Sequence, residues 1–224
     1  MAIARSALIA AISLAVAASA SGQIVGFLED FSTGDANWRG DSLASTLEWS
    51  GSGAPGGDAF VASVFNLSGT TAGGFPATVI RAASSVGSSD GAYVGDWITA
   101  GVTGVSFWFR HDLAESIQLS LRVAPATNFP GGSAYGAVVA ANEWTQVHFD
   151  LSPSSSQWVS FSGTSWAAVM QSIANIQIGF LVPESLAGQD VVGRFDMTDF
   201  SIVPAPAAFA FLALGGAFAA RRRR

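Results

Sequence analysis

Cysteine and lysine are both absent from this chain of 224 residues. Without cysteine there is no disulfide framework, no thiolate nucleophile and no thiolate metal site, so the folded part must be held by its core alone. All ten basic residues are arginine, and five of them sit at the two ends (Arg5 and Arg221–Arg224). Leaving those five out takes the formal net charge from −6 to −11. So acidic a body argues against nucleic acid as a partner, because phosphate recognition needs basic patches that displace counterions. It is compatible with solubility and with divalent cations. Catalytic signatures are missing as well: two histidines in all, no Gly-x-Ser-x-Gly elbow, no His pair at metal spacing and no phosphate-cradling loop. Glu115, Glu143 and Glu184 are scattered through turn-like stretches, unlike the paired carboxylates of glycoside hydrolysis. The sequence points away from an enzyme.

What the chain has in quantity is alternation. From Gln23 to Ile202 apolar residues recur with period two, broken by Gly, Ser, Asn and Pro. Val105, Phe107 and Phe109 alternate with Ser106, Trp108 and Arg110; Ile117, Leu119, Leu121 and Val123 alternate with Gln118, Ser120 and Arg122. Val147, Phe149 and Leu151 alternate with Gln146, His148 and Asp150, and Ile176, Ile178 and Phe180 with Gln177 and Gly179. Such runs are antiparallel strands with one face in a core and one in water. Further strands are expected at Ile24–Phe31, Thr46–Ser50, Ala59–Phe65, Thr78–Arg81, Ala134–Val139 and Val191–Ile202, the last with a bulge near Asp199 where the alternation changes phase. Only Ser165–Ile176 reads as a helix, with Ser165 at the N-cap. The pattern predicts an all-β fold, a jelly-roll β-sandwich of two antiparallel sheets with one short helix.

Two short stretches carry a resemblance. "LEDFSTGDANW" (28–38) resembles the Phe-Glu…Gly…Gly-Trp opening of many jelly-roll carbohydrate-binding modules, and "FDMTDFSI" (195–202) resembles their closing strand. The usual acidic residue after the opening Phe is missing at Ser32, with Glu29 and Asp30 preceding Phe31 instead. The resemblance implies a structural Ca²⁺ held by Glu29, Asp30, Asp196 and Asp199 where the first and last strands meet, with Asp58 within reach. The alternative for these carboxylates is that they are solvated strand ends.

The polar sides of the central strands pool into a candidate ligand face: Trp108, Arg110, Gln118, Arg122, Gln146, His148, Gln177 and Arg194. Sugars are gripped by an aromatic ring under their C–H face and by planar amides and guanidinia at their hydroxyls. Trp108 is the informative member, either a stacking platform or a ring lying under a loop. The other tryptophans, Trp38 above all, read as core plugs.

The two ends form separate segments. Residues 1–20 have the basic head (Arg5), the short apolar stretch Ala7–Ala18 and the Ala18-Ser19-Ala20 cleavage pattern of a signal peptide. Residues 21–202 are then the sandwich domain. Residues 203–224 combine Val203, Pro204, Ala205 and Pro206, a fourteen-residue apolar helix (Ala207–Ala220), and Arg221, Arg222, Arg223 and Arg224. As a helix the apolar run would span about 21 Å, short of a hydrocarbon core of about 30 Å, with the arginines on the cytoplasmic side. A plain C-terminal anchor is one interpretation. The tripartite order also resembles the PEP-CTERM sorting signal of Gram-negative bacteria, with Ala205 where glutamate is usual. That resemblance implies recognition by an exosortase-type protease, a transient inner-membrane anchor, and delivery to the cell surface or extracellular matrix. The expected function is non-catalytic association with extracellular polysaccharide; the alternatives are a structural or adhesive matrix domain without a sugar site and, third, a polysaccharide-active enzyme.

Overall fold

The computed structural model describes residue 24 and residues 26–205. The expected signal peptide, Pro206, the whole apolar run Ala207–Ala220 and Arg221–Arg224 lie outside the described residues. Eleven strands and one α-helix are found among those described. The first sheet holds β1 (Leu28–Glu29), β2 (Glu48–Ser50), β3 (Phe60–Asn66), β5 (Val102–His111), β8 (Thr145–Asp150) and β11 (Val192–Pro204). The second holds β4 (Ala77–Ala83), β6 (Ile117–Ala124), β7 (Gly132–Val139), β9 (Trp158–Ser160) and β10 (Asn175–Leu181). Their orders are β2-β3-β11-β5-β8 and β4-β10-β6-β7-β9, all pairs antiparallel. The chain crosses between the sheets after β3, β4, β5, β7, β8 and β10, so that sequence neighbours face one another across the core in the manner of a jelly roll.

Alternation sets the two faces of each strand. Val105, Phe107 and Phe109 are buried while Ser106, Trp108 and Arg110 point outward, and β6, β8 and β10 divide in the same way. The inner faces meet in a phenylalanine layer: Phe107 stacks on Phe149 and Phe200 at 6.0 and 5.9 Å, and Phe180 of the second sheet lies 5.1 Å from Phe195 of the first. Each such ring contributes about 2–3 kcal/mol by leaving water. Trp38 is fully buried against Phe31 and Phe200, as expected of a plug.

The bulge expected near Asp199 is present. Between Thr198↔Trp108 and Ser201↔Ser106 the last strand spends one residue more than β5, and Asp199 takes φ 53°. That extra residue lets both Met197 and Phe200 enter the core. It also marks where β11 changes partner, from β3 up to Met197 to β1 from Phe200.

Three expectations shift. The helix α1 covers only Trp166–Met170, capped as predicted by the Ser165 hydroxyl accepting from the Ala168 N–H at 3.1 Å. Ile173 instead bridges to Gly95, and Asn175 opens β10, because the buried Ile173 packs in extended backbone. The short β9 was not anticipated; Trp158 on it covers Gly132, where a Cβ would stand 2.0 Å from the indole. Finally, β11 runs past Ile202. Val203 and Pro204 pair with β5, and the Ala205 N–H donates to the Gly101 carbonyl at 2.7 Å. Three residues of the expected sorting motif thus belong to the sandwich.

Candidate functional site

The eight residues pooled as one ligand face fall on two. Trp108, Arg110, Gln146, His148 and Arg194 stand on the outer face of the first sheet, and Gln118, Arg122 and Gln177 on the outer face of the second. These faces lie on opposite sides of the sandwich. Period-two alternation says which residues leave the core but not which sheet carries them, so the pooling was wrong as a single surface.

On the first sheet the arginines are already engaged. Asp196, 2% exposed, stands opposite Arg110 in the β11–β5 register. Its Oδ2 accepts from Arg110 Nε at 2.8 Å and Nη2 at 2.6 Å, and its Oδ1 from Arg194 Nε at 2.8 Å. Arg194 Nη1 also reaches Glu48 Oε2 at 2.5 Å. The Arg110 guanidinium lies 4.7 Å over the Trp144 ring and 5.7 Å from that of Phe60. Trp144 is tied by its indole N–H to the Gly53 carbonyl at 3.2 Å. Trp108 sits half-buried between Thr198 and Gln146. Beneath this network His111 faces inward, 1% exposed, its Nε2 3.1 Å from the Val139 carbonyl and its Nδ1 without a partner. Burial pushes its pKa down, against smaller opposing effects of that hydrogen bond and of Asp112.

The four residues assigned to calcium have different partners in the structure. Asp196 is consumed by two arginines. Glu29 accepts from the Phe31 N–H and from the Ser89 hydroxyl at 3.2 and 2.6 Å. Asp30 accepts from the Ser32 N–H at 2.9 Å, which holds its carboxyl below the usual range. Asp199 faces Asp30 and Asp58, and its pKa is raised by burial first and by those two charges next. Among the described residues no group of three or more His, Asp or Glu side chains is disposed to hold a metal ion.

The second sheet carries an open groove of about 460 Å³. Its floor comes from the outward positions of adjacent strands: Thr78 of β4, Gln177 and Gly179 of β10, Ser120 and Arg122 of β6, and Ser133 of β7. A bulge in β4 brings its backbone so near Gly179 that a Cβ there would lie 2.5 Å from the Ala77 carbonyl oxygen, which requires glycine at this point of the floor. The rim is aromatic: Phe75, Phe129 and Phe161, the first two 89% and 62% exposed. Asn128 joins rim to floor, its Oδ1 accepting from Arg122 Nη1 at 2.8 Å and from Gln177 Nε2 at 3.0 Å, while its carbonyl accepts from Arg122 Nη2. The Arg122 guanidinium lies 5.0 Å from the Phe129 ring centre. Burial, and then the neighbouring Arg81, pulls its pKa below the usual arginine value, yet an arginine stays charged at physiological pH.

Two of the eight predicted residues, Arg122 and Gln177, therefore line this groove; Gln118 shares the face without lining it. The aromatic rim was missed. Its signal is present in "AGGFPAT" and "TNFPGGS", two Phe-Pro pairs in glycine-rich turns. Proline holds the preceding residue extended, and a Phe in such a turn has no core position to fill.

No protein-family model and no curated protein matches the chain. Among solved structures it is similar to a family 11 carbohydrate-binding module from Clostridium thermocellum in complex with a β-1,3-1,4-mixed-linked tetrasaccharide, at TM-score 0.47 and 14% identity over 81% of this chain and 97% of that one. It is also similar to the CBM22-1–GH10 modules of Clostridium thermocellum xylanase 10B complexed with xylohexaose, at TM-score 0.45 and 11% identity over 79% of this chain but only 28% of that one. The L4b domain of human laminin alpha-2 follows at TM-score 0.37 and 10% identity, covering 71% and 98%. Likenesses this distant give no ground for carrying a ligand or a residue from those proteins to this chain.

Proposed function

We propose that this protein is a non-catalytic polysaccharide-binding protein and that its site is the groove on the second sheet. One observation carries the reading: three phenylalanine rings rim a floor of hydroxyls, an amide and a guanidinium, in an open groove on the outer face of the sheet. Pyranose rings present an apolar C–H face and a circumference of hydroxyls, so a trough with aromatic walls and planar hydrogen-bonding groups below suits them on both counts. The lining includes no Asp, Glu or His, whereas glycosidic cleavage calls for two carboxylates flanking the bond. What this lining supports is retention of a chain rather than its hydrolysis.

Export by residues 1–20, and a transient hold in the inner membrane with exosortase-type processing through residues 203–224, belong to the same proposal on the sequence of the two ends. They place the groove among extracellular polymers. A panel of soluble polysaccharides in native affinity gels tests the site. The full-length chain is expected to be retarded by at least one of them. The Phe75→Ala/Phe129→Ala double variant should lose about a hundredfold in affinity, roughly 1.4 kcal/mol per stacking ring. A chain that ignores every glycan would leave the structural or adhesive alternative; retention untouched in the double variant would move the site elsewhere.

A further inference from the structure

We propose that the polysaccharide held in this groove bears an anionic group on its sugars, a uronate carboxylate or a sulfate ester, and that Arg122 receives it. The inference rests on the groove being a glycan site and gives that site a substrate class.

The first ground is the distribution of charge. All sixteen carboxylate side chains lie among the described residues, yet none lines the groove, and Arg122 does. Arg39, Arg110 and Arg194 each have a carboxylate within 4.0 Å. Among the described residues Arg81 and Arg122 have none, and these two share one row across the sheet, Arg81 and Arg122 flanking Gln177 in the β4–β10–β6 register. Arg81 spends its guanidinium on the carbonyls of Gly40 and Asp41, and the Asp41 carboxylate acts on it as well. Beside Arg122 the row thus presents positive charge in a domain that is otherwise strongly negative.

The second ground is the geometry of Arg122. Its guanidinium is clamped by Asn128, stacked on Phe129, and laid over Gly131, where a Cβ would stand 2.9 Å from Nη2. Only two of the five N–H donors of a guanidinium are used by these contacts. A half-buried cation without a counter-ion is unfavourable unless a ligand supplies one. Neutral sugars need no such charge. An anionic substituent would take the free edge of the fork in a charge-assisted pair, with the Ser120, Ser133 and Thr78 hydroxyls placed for the rest of the ring. The acidity of the domain as a whole repels polyanions, so attraction to one must come from this local field.

The test uses the full-length chain in affinity gels containing polygalacturonate, its carboxyl-reduced counterpart, dextran sulfate or xylan. Arg221–Arg224 are present in parent and variants alike, so their contribution cancels in the comparison. Retardation by polygalacturonate is expected to exceed that by the reduced polymer about tenfold in apparent affinity, to weaken with salt, and to lose this excess in Arg122→Gln while Arg122→Lys keeps part of it. Retardation by dextran sulfate alone, lost in Arg122→Gln, also sustains the proposal and identifies the group as a sulfate ester. Phe75→Ala, at an exposed position where folding is not in question, should lower retention by charged and neutral polymers alike. Equal retention by charged and reduced polymer, or a preference that survives Arg122→Gln, overturns the charge inference and leaves the groove as a glycan site. Failure to bind any of the four overturns both.

Discussion

The two outer faces of this sandwich are built from the same kinds of residue and put them to opposite use. On the first sheet, Arg110 and Arg194 close on Asp196 and Glu48, and Trp144 lies over the Arg110 guanidinium. Both arginines there have a carboxylate within the chain, so the charge of this face is balanced internally. On the second sheet, Arg122 and Gln177 share one Asn128, the phenylalanines stand exposed, and no carboxylate answers the arginine. Polar side chains on a sheet face are thus no guide to binding until their partners are known. The face that leaves an arginine without a carboxylate, beside exposed rings, is the one equipped to meet a ligand.

The largest effect that bears on this contrast is expected from Asp196→Asn. Removing the charge leaves the Arg110 guanidinium without a carboxylate, while Arg194 keeps only Glu48. Breaking such a pair should cost about 2–4 kcal/mol, less than a fully dry pair because both arginines are partly exposed; urea unfolding measures it, and glycan retention should not change beyond that. Arg122→Gln, by contrast, should lower stability by less than about 1 kcal/mol while lowering retention. If the two substitutions exchange these outcomes, the assignment of roles to the faces is reversed.

Trp108→Ala should cost some packing on the first sheet yet leave retention in affinity gels within about twofold of the parent, below 0.5 kcal/mol. Next in size is a pH effect from His111. Its pKa in the folded state is depressed by burial, so below an unfolded-state value of about 6.5 the unfolded chain takes up protons that the folded chain refuses. Stability should therefore fall as pH drops from about 6.5, and His111→Gln should flatten a plot of Tm against pH in that range. The smallest effect belongs to Asp199→Asn. Asp199 carries a raised pKa, so its ionisation at neutral pH opposes folding; asparagine removes that charge and tolerates φ near +53°. A gain of less than about 0.5 kcal/mol at pH 7 is expected, since solvent screens this partly exposed charge, disappearing as pH falls below about 4, where the parent carboxyl is protonated in both states.

Much of the framework was legible because alternation is a local signal. Phe107 and Phe109 against Trp108 and Arg110 gives the inner and outer side of β5 without any knowledge of its neighbours. The change of phase between Met197 and Phe200 likewise marks the bulge at Asp199. Strand order and register are non-local, and there the sequence falls silent. Asp196 could be assigned to a metal, and Arg110 and Arg194 to a ligand, because nothing in the chain reveals that β11 lies beside β5 in the register that makes them each other's partners. The same gap merged Arg122 and Gln177 with Trp108, although opposite sheets carry them. Phe75 and Phe129 were visible but not weighed, since a search for alternation passes over aromatics in glycine-rich turns. The short β9 and the truncated helix α1 were too brief for periodicity to define.

The central claim is that the groove of the second sheet, rather than the Trp108 face of the first, holds the polysaccharide. Amide hydrogen exchange of the full-length chain, with and without a glycan that retains it, addresses this most directly. The account predicts slowed exchange at residues 73–78 and 126–133, which build the rim and floor around Phe75, Asn128 and Phe129, with β8 and the segment around Trp144 unchanged. Slowed exchange around Trp108, Trp144 and β8, with the groove segments unaffected, would contradict it.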